Sequence, residues 1–182
     1  INMGPITYSL CHKPIIGMVM FITSLCAFPP LINETPLSLA KSGTSISIPF
    51  TVPVDKKYHL ILTFESESAD GKLPVEIIGT RYNKNCLGDV SYQEIPEEMR
   101  KGLGRPIPFR VVIRRIEDHA VIIDRSFDSL CSIGGPPTKM VREIGWVELT
   151  RGDFIAEVTN MESQTGLESV KTYILLTAGH GK

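Results

Sequence analysis

Much of the chain after residue 44 alternates between apolar and polar residues with a period of two, which is typical of half-buried β-strands. Pro49 lies inside the first alternating run, and because proline cannot donate a hydrogen bond to a neighbouring strand, that strand is predicted at a sheet edge. The alternating runs are residues 46–52, 58–65, 75–77, 109–114, 121–124, 146–149, 154–158 and 170–176.

Short turns separate most of these runs. Asp70-Gly71 is one such turn, and Arg151-Gly152-Asp153 is predicted to close a hairpin between the runs at 146–149 and 154–158. Seven or eight short strands at this spacing predict an all-β fold, a single, mostly antiparallel β-sandwich.

One long segment, from Thr80 to Pro108, lacks the alternation. Within it Pro96 suits the first position of a helix, acidic residues follow, and Gly102 suits its end. The sequence therefore predicts one short helix in a long loop.

The N-terminal residues have the layout of a secretory signal peptide. Residues 15–28 form a run of fourteen positions without a charge, preceded by Lys13 and followed by Pro29-Pro30. Cleavage is predicted after Ala27, which gives a signal peptide over 1–27, an extended leader over 28–44 and a β-sandwich domain over 45–178.

Two alternatives to a cleaved signal peptide follow from the same residues. Thr23-Ser24-Leu25-Cys26 loosely matches a lipoprotein box, in which Cys26 would carry a lipid tether, although Leu25 departs from the small residue that normally precedes the cysteine. A buried hydrophobic helix is the other alternative. Cleavage predicts an exported protein of the periplasm or cell envelope.

Cysteine content agrees with export. Cleavage removes Cys11 and Cys26 and leaves Cys86 and Cys131, which are predicted to form one disulfide in an oxidising compartment. Two unpaired buried thiols are the alternative. The sequence has no CxxC motif and no Cys/His cluster, so a structural zinc site is not expected.

Charge excludes one class of partner and suggests another. The 182 residues carry a net charge of −1, without the basic excess of a nucleic-acid-binding protein. Six basic residues nevertheless lie close together in sequence and predict a binding surface for an acidic protein, with Arg110 and Arg114 on one strand face. An ordinary solvated face is the alternative. The six are Arg100, Lys101, Arg105, Arg110, Arg114 and Arg115.

Candidate catalytic residues are scattered. His59 lies on the polar side of a strand, His119 lies in a turn beside Asp118, and neither belongs to a recognised catalytic or metal-binding motif. The sequence therefore predicts no catalytic residues, no metal and no cofactor.

Strand patterning also carries a family resemblance. Residues 47–53, 58–65, 107–111 and 147–160 resemble a family of small bacterial exported proteins, many with lipoprotein signals and none with an assigned function. The resemblance implies a β-sandwich in the bacterial envelope and supplies no catalytic residues.

Together these features predict an exported, non-enzymatic binding domain, in its most concrete form an inhibitory, immunity-type protein that binds another protein. A carbohydrate or lipid-headgroup module is the alternative, and it predicts that Tyr82, Tyr92 or Trp146 is exposed. A hydrolase with a dispersed site is a third reading, and it requires His59 or His119 in a cleft beside a carboxylate.

Overall fold

A computed structural model of the chain describes residues 29–68, 71–80 and 91–178. These residues form nine β-strands and three short helical segments. The strands are β1 (Ile32–Pro36), β2 (Ser45–Val52), β3 (Lys56–Ser66), β4 (Ile107–Arg115), β5 (Val121–Ser129), β6 (Ser132–Gly134), β7 (Lys139–Leu149), β8 (Gly152–Asn160) and β9 (Val170–Thr177). The helical segments are α1 (Val75–Ile78), a 3₁₀ turn (Tyr92–Glu94) and α2 (Glu97–Arg100).

The strands form two sheets that enclose one apolar core. The five-stranded sheet has the order β1-β9-β3-β7-β6, the four-stranded sheet has the order β2-β8-β4-β5, and every described pairing is antiparallel. The predicted all-β sandwich is confirmed, and α2 confirms the short helix in the long loop.

Period-two alternation explains how each sheet contributes to the core. In β3, Tyr58, Leu60, Leu62 and Phe64 are at most 2% exposed and face the other sheet. Burial of each such side chain contributes about 1.5–3 kcal/mol before the entropic cost of ordering it. Gly145 of β7 brings the two sheets close together, because a Cβ there would lie 2.4 Å from the Phe127 ring.

The predicted hairpin at Arg151-Gly152-Asp153 is wrong. β7 belongs to the five-stranded sheet and β8 to the four-stranded sheet, so this turn crosses between sheets. The turn between β2 and β3 makes the same crossing, and the Asp55 carboxylate joins the two turns by accepting a 2.6 Å hydrogen bond from the Arg151 N–H. Alternation defines which face of a strand is buried, but it does not distinguish a hairpin from a crossing.

The predicted strand at residues 75–77 is also wrong, since these residues form α1. Pro74 precedes the helix, and its carbonyl accepts hydrogen bonds of 3.0 Å from Ile77 and Ile78. Of the four helical residues only Ile78 is buried and Ile77 packs partly against the core, so the apolar run reflects the core contacts of a helix and not a strand face.

The segment assigned to an extended leader contributes to the sheet and the core. β1 pairs with β9, and Leu37 and Leu39 are at most 3% exposed. The buried Asn160 side chain donates hydrogen bonds of 3.3 and 3.0 Å to the Leu39 and Lys41 carbonyls and holds this segment against the end of β8.

Candidate binding surface

The outer face of the four-stranded sheet carries the two arginines that were predicted to share a strand face. Along β4, Phe109, Val111 and Ile113 point into the core, whereas Arg110 and Arg114 are exposed on the opposite side. The predicted common orientation of these two arginines therefore agrees with the structure. We call this side, with Arg110, Val112 and Arg114 along its central strand, the arginine face.

Both arginines of this face are paired with carboxylates. Arg110 makes a bidentate contact with Asp124, with Nε–Oδ1 and Nη2–Oδ2 distances of 2.9 and 2.8 Å. The hydrogen bond between them raises the pKa of Arg110 and lowers that of Asp124. Arg114 contacts Glu157 through one nitrogen at 3.3 Å. The charges of this face are thus largely balanced, with Arg110 held the more firmly of the two.

Exposed apolar side chains surround Arg114. Its neighbours across the sheet are Ile155 of β8, which is 37% exposed, and Val121 of β5, which is 54% exposed. Ile116 is 40% exposed, and its N–H bonds to the Asp153 carbonyl just before Ile155. We call Ile116, Val121 and Ile155 with Arg114 the apolar end of the arginine face.

The remaining predicted basic residues do not extend this surface into one cationic patch. Arg115 bonds to Asp118 at 3.0 Å in the β4–β5 turn. Arg100 donates to the backbone carbonyls of Ile95 and Gln93, and exposed Lys101 follows α2. Arg105 precedes β4, where it donates to the Gln164 amide oxygen at 3.0 Å.

A polar groove lies at the other end of the arginine face, where β4 begins and β5 and β8 end. Its cavity volume is about 290 Å³. Among the described residues, six supply most of its polar groups and an aromatic ring: Tyr92, Gln93, Arg105, Asp128, Glu162 and Gln164. Sequence reasoning singled out Arg105 and Tyr92 separately, but it missed Asp128, Glu162 and Gln164, which the fold brings to them from distant segments.

The outer face of the five-stranded sheet holds a buried polar pair instead. His59 Nε2 lies 2.9 Å from Glu143 Oε2, and the His59 ring stacks on Trp146 with 4.3 Å between centroids. Among the described residues, neither the second oxygen of Glu143 nor His59 Nε2 has a hydrogen-bond partner. The carboxylate that the hydrolase reading required is present, but neither of the two cavities described here is lined by His59 or Glu143.

The structure also locates other residues that the sequence analysis named. His119 is exposed in the β4–β5 turn with a φ of 58°, and Trp146 is half-buried against His59. Tyr82 lies outside the described residues. Among residues 29–68, 71–80 and 91–178, no cluster of His, Cys, Asp or Glu could hold a metal ion, and no helix is long and apolar enough to cross a membrane.

Cys131 lies in a small second apolar cluster beneath the long loop, with Ile95, Leu103 and Leu130. It is 1% exposed and carries no free thiol. Its predicted partner Cys86 lies outside the described residues, as do the predicted signal peptide and Cys26, so the pairing of Cys86 with Cys131 stays a prediction.

Comparison with known proteins places the chain in a family. A solved structure described as "Crystal Structure of GEBA250068378 from Sulfurospirillum deleyianum" matches with a TM-score of 0.63 at 20% sequence identity, over 82% of this chain and 98% of that one. At that identity the likeness shows the fold alone. No curated protein matches the chain. The model of a family described as "Domain of unknown function (DUF5625)" matches residues 34–178, and the chain therefore belongs to this family.

Proposed function

We propose that the chain is an exported, non-enzymatic binding domain that holds a protein partner at the apolar end of the arginine face. One observation carries the proposal: Ile116, Val121 and Ile155 are exposed around Arg114 on an otherwise polar sheet face. Grouped apolar side chains with a polar rim are typical of protein-interaction sites, and arginine is frequent among residues that dominate binding energy.

The charge balance of the face restricts the partner. Because Arg110 is already bound bidentately by Asp124, it contributes little free positive charge. Arg114 has a single contact to Glu157, and their side chains are 44% and 43% exposed. A partner carboxylate could therefore take the unused donors of Arg114. The partner that fits has an apolar patch beside one carboxylate, and its most concrete form is a toxin inhibited as an immunity protein would inhibit it.

Site-specific photocrosslinking tests this surface. A variant with a photoreactive phenylalanine in place of Ile155, and otherwise wild type, should give one discrete adduct in an envelope extract. The same substitution at Ile133, which is 40% exposed on the five-stranded sheet, is the matched control and should give none. Ile155→Asp should abolish capture of that partner, whereas Ile133→Asp should retain it. Identical adducts at both positions, or none at 155, would reject the apolar end as the binding site.

Association kinetics measure the contribution of the arginines. Arg114→Gln should slow association with the identified partner several-fold and reduce its dependence on salt, because an exposed charge acts mainly on the encounter. Arg110→Gln should have a smaller effect, since Asp124 already neutralises Arg110. Equal effects of the two substitutions would contradict this assignment.

Export and the disulfide belong to the same proposal. We expect the exported chain to begin at Phe28, in the bacterial envelope, with Cys86 joined to Cys131. Loss of this bridge through Cys131→Ser should cost about 4 kcal/mol of unfolding free energy. Mass spectrometry of the envelope protein, digested without reductant, checks both points. Residues before Phe28 that remain intact, or a lipid on Cys26, would overturn the predicted cleavage. Separate peptides that carry Cys86 and Cys131 as free thiols would overturn the predicted disulfide.

A further inference from the structure

The polar groove is separated from the apolar end along the same strand. Pro108 lines the groove and Arg114 belongs to the apolar end, so about 20 Å of extended backbone lies between them. The groove is near the lower size limit of small-ligand pockets, which is about 300 Å³. Because the two sites share no side chain, the groove can be considered independently of the proposed protein partner.

The Arg105 side of the groove is fixed by the fold before any ligand binds. Arg105 donates from Nε to the Gln164 amide oxygen at 3.0 Å, and its Nη2 bonds to the Thr165 carbonyl. Its own carbonyl accepts a 3.1 Å hydrogen bond from Arg142, which is 0% exposed. Gln164 is anchored in turn, since its N–H bonds to the Leu39 carbonyl at 2.8 Å. A wall held in this way loses little entropy on binding.

The part of the groove that carries the aromatic ring is also held in place. The Arg100 guanidinium lies 4.9 Å from the centroid of the Tyr92 ring. The same guanidinium donates to the Ile95 and Gln93 carbonyls at 2.7 and 2.8 Å. Arg100 is therefore a positioning residue, and it holds the 3₁₀ turn that presents Tyr92 and Gln93 to the groove.

The groove has both positively and negatively charged side chains, and this combination disfavours the binding of a simple ion. One guanidinium, that of Arg105, is accompanied by the carboxylates of Asp128 and Glu162, so an anion meets repulsion. The Nε–Nη2 edge of Arg105 is already occupied by Gln164 and Thr165 and cannot grip a carboxylate as a fork. Hydroxyl groups fit better, because each can accept from the remaining guanidinium N–H groups and donate to a carboxylate.

From this arrangement we propose that the groove binds a neutral saccharide. Its hydroxyls bond to Arg105, Asp128 and Glu162, and its ring contacts the part of Tyr92 that lines the groove and is left uncovered by Arg100 and the small apolar cluster. The class of ligand follows from one guanidinium, two carboxylates and an aromatic side chain in the lining of a small cavity whose Arg105 side is held by the fold.

Backbone NMR with defined probes tests the proposal on the mature chain. Chitobiose, cellobiose and maltose are titrated separately, with diglycine as a zwitterionic probe and sulfate as an anionic one. We expect at least one disaccharide to produce saturable shifts of the amides of Gln93, Ser163 and Gln164. Asp128→Asn should weaken that binding by about tenfold or more, whereas Glu148→Gln, an exposed glutamate on β7, should leave it unchanged.

Each other result overturns the saccharide assignment. The assignment is wrong if no disaccharide gives a saturable shift, if only diglycine or sulfate gives one, or if Asp128→Asn leaves the affinity unchanged. Thermal unfolding of the variants verifies that they are folded. Photocrosslinking at Ile155 is performed on the Asp128→Asn variant as well, and its result reports on the protein partner separately from the groove.

Discussion

The two outer faces of this sandwich differ in how far their outward-pointing residues are exposed to solvent. On the five-stranded sheet, Ile61, Thr63 and Glu143 point away from the core, yet they are 7%, 1% and 2% exposed. On the four-stranded sheet, the side chains of Arg110 and Arg114 are 53% and 44% exposed. The middle of one face is therefore part of the buried structure, whereas the arginines of the other face are available for recognition.

The polar side-chain pairs of the two faces differ for the same reason. His59 and Glu143 lie 2.9 Å apart with side chains 12% and 2% exposed, whereas Arg114 and Glu157 lie 3.3 Å apart in contact with solvent. An exposed ion pair contributes about 0–1 kcal/mol to stability, whereas a buried polar group left without its partner costs about 1–3 kcal/mol. Stability should therefore depend on the first pair, and binding on the second.

A lysine placed on each face gives the largest expected difference in the free energy of unfolding. Thr63→Lys puts an ammonium group at a position that is 1% exposed, which should lower the free energy of unfolding by about 4 kcal/mol or more. Ser47→Lys, at an exposed position on the outer face of β2, should change it by no more than about 0.5 kcal/mol. Urea denaturation of both variants measures the difference. Two small effects of similar size would show that the faces are equally accessible.

Truncation of Glu143 and of Glu157 gives the next largest difference in stability. Glu143→Ala removes the carboxylate next to the His59 ring in a buried site, so we expect a loss of about 1–3 kcal/mol. Glu157→Ala removes a solvent-exposed partner and should cost less than about 1 kcal/mol. Thermal and urea unfolding at one pH compare them. If Glu143→Ala were as stable as Glu157→Ala, the buried pair would contribute nothing to the fold.

The sequence predicted the sandwich because most strands have one apolar and one polar face. It failed at β7, where only residues 146–149 were predicted although the strand begins at Lys139. Arg142 and Glu143 interrupt the apolar pattern, and an irregularity in pairing near Leu60 and Ile61 shifts the alternation. Distant groups contact both residues, the Ile77, Arg105 and Ser129 carbonyls at Arg142 and the His59 ring at Glu143, and a local pattern contains no information about those groups.

Arg142 illustrates the point. It is fully buried on the core side of β7, and it donates to the carbonyls of Ile77, Arg105 and Ser129 from three separate segments. Burial lowers its pKa to about 9. The polar groove was unpredictable for the same reason: its residues come from the 3₁₀ turn, the start of β4 and the ends of β5 and β8.

The smallest expected effect concerns the exposed pair of Arg110 and Asp124. The hydrogen bond from Arg110 lowers the pKa of the Asp124 carboxyl, so Arg110→Gln should raise that pKa toward its ordinary value. Because the pKa of Asp124 is lower in the folded than in the unfolded chain, its stabilising contribution is present above the unfolded pKa. The contribution is lost as the pH falls through the folded value. Wild type and variant should thus differ most at neutral pH and converge in acid.

Carboxyl-carbon NMR titration of Asp124 measures this directly. The midpoint of Asp124 should shift upward in Arg110→Gln. The unfolding free energy should hardly change, because the pair is exposed to solvent. An unchanged Asp124 midpoint would mean that the bidentate contact does not persist in solution. Arg110 would then be as free as Arg114 to bind a partner carboxylate, and the predicted ranking of the two arginines in association kinetics would disappear.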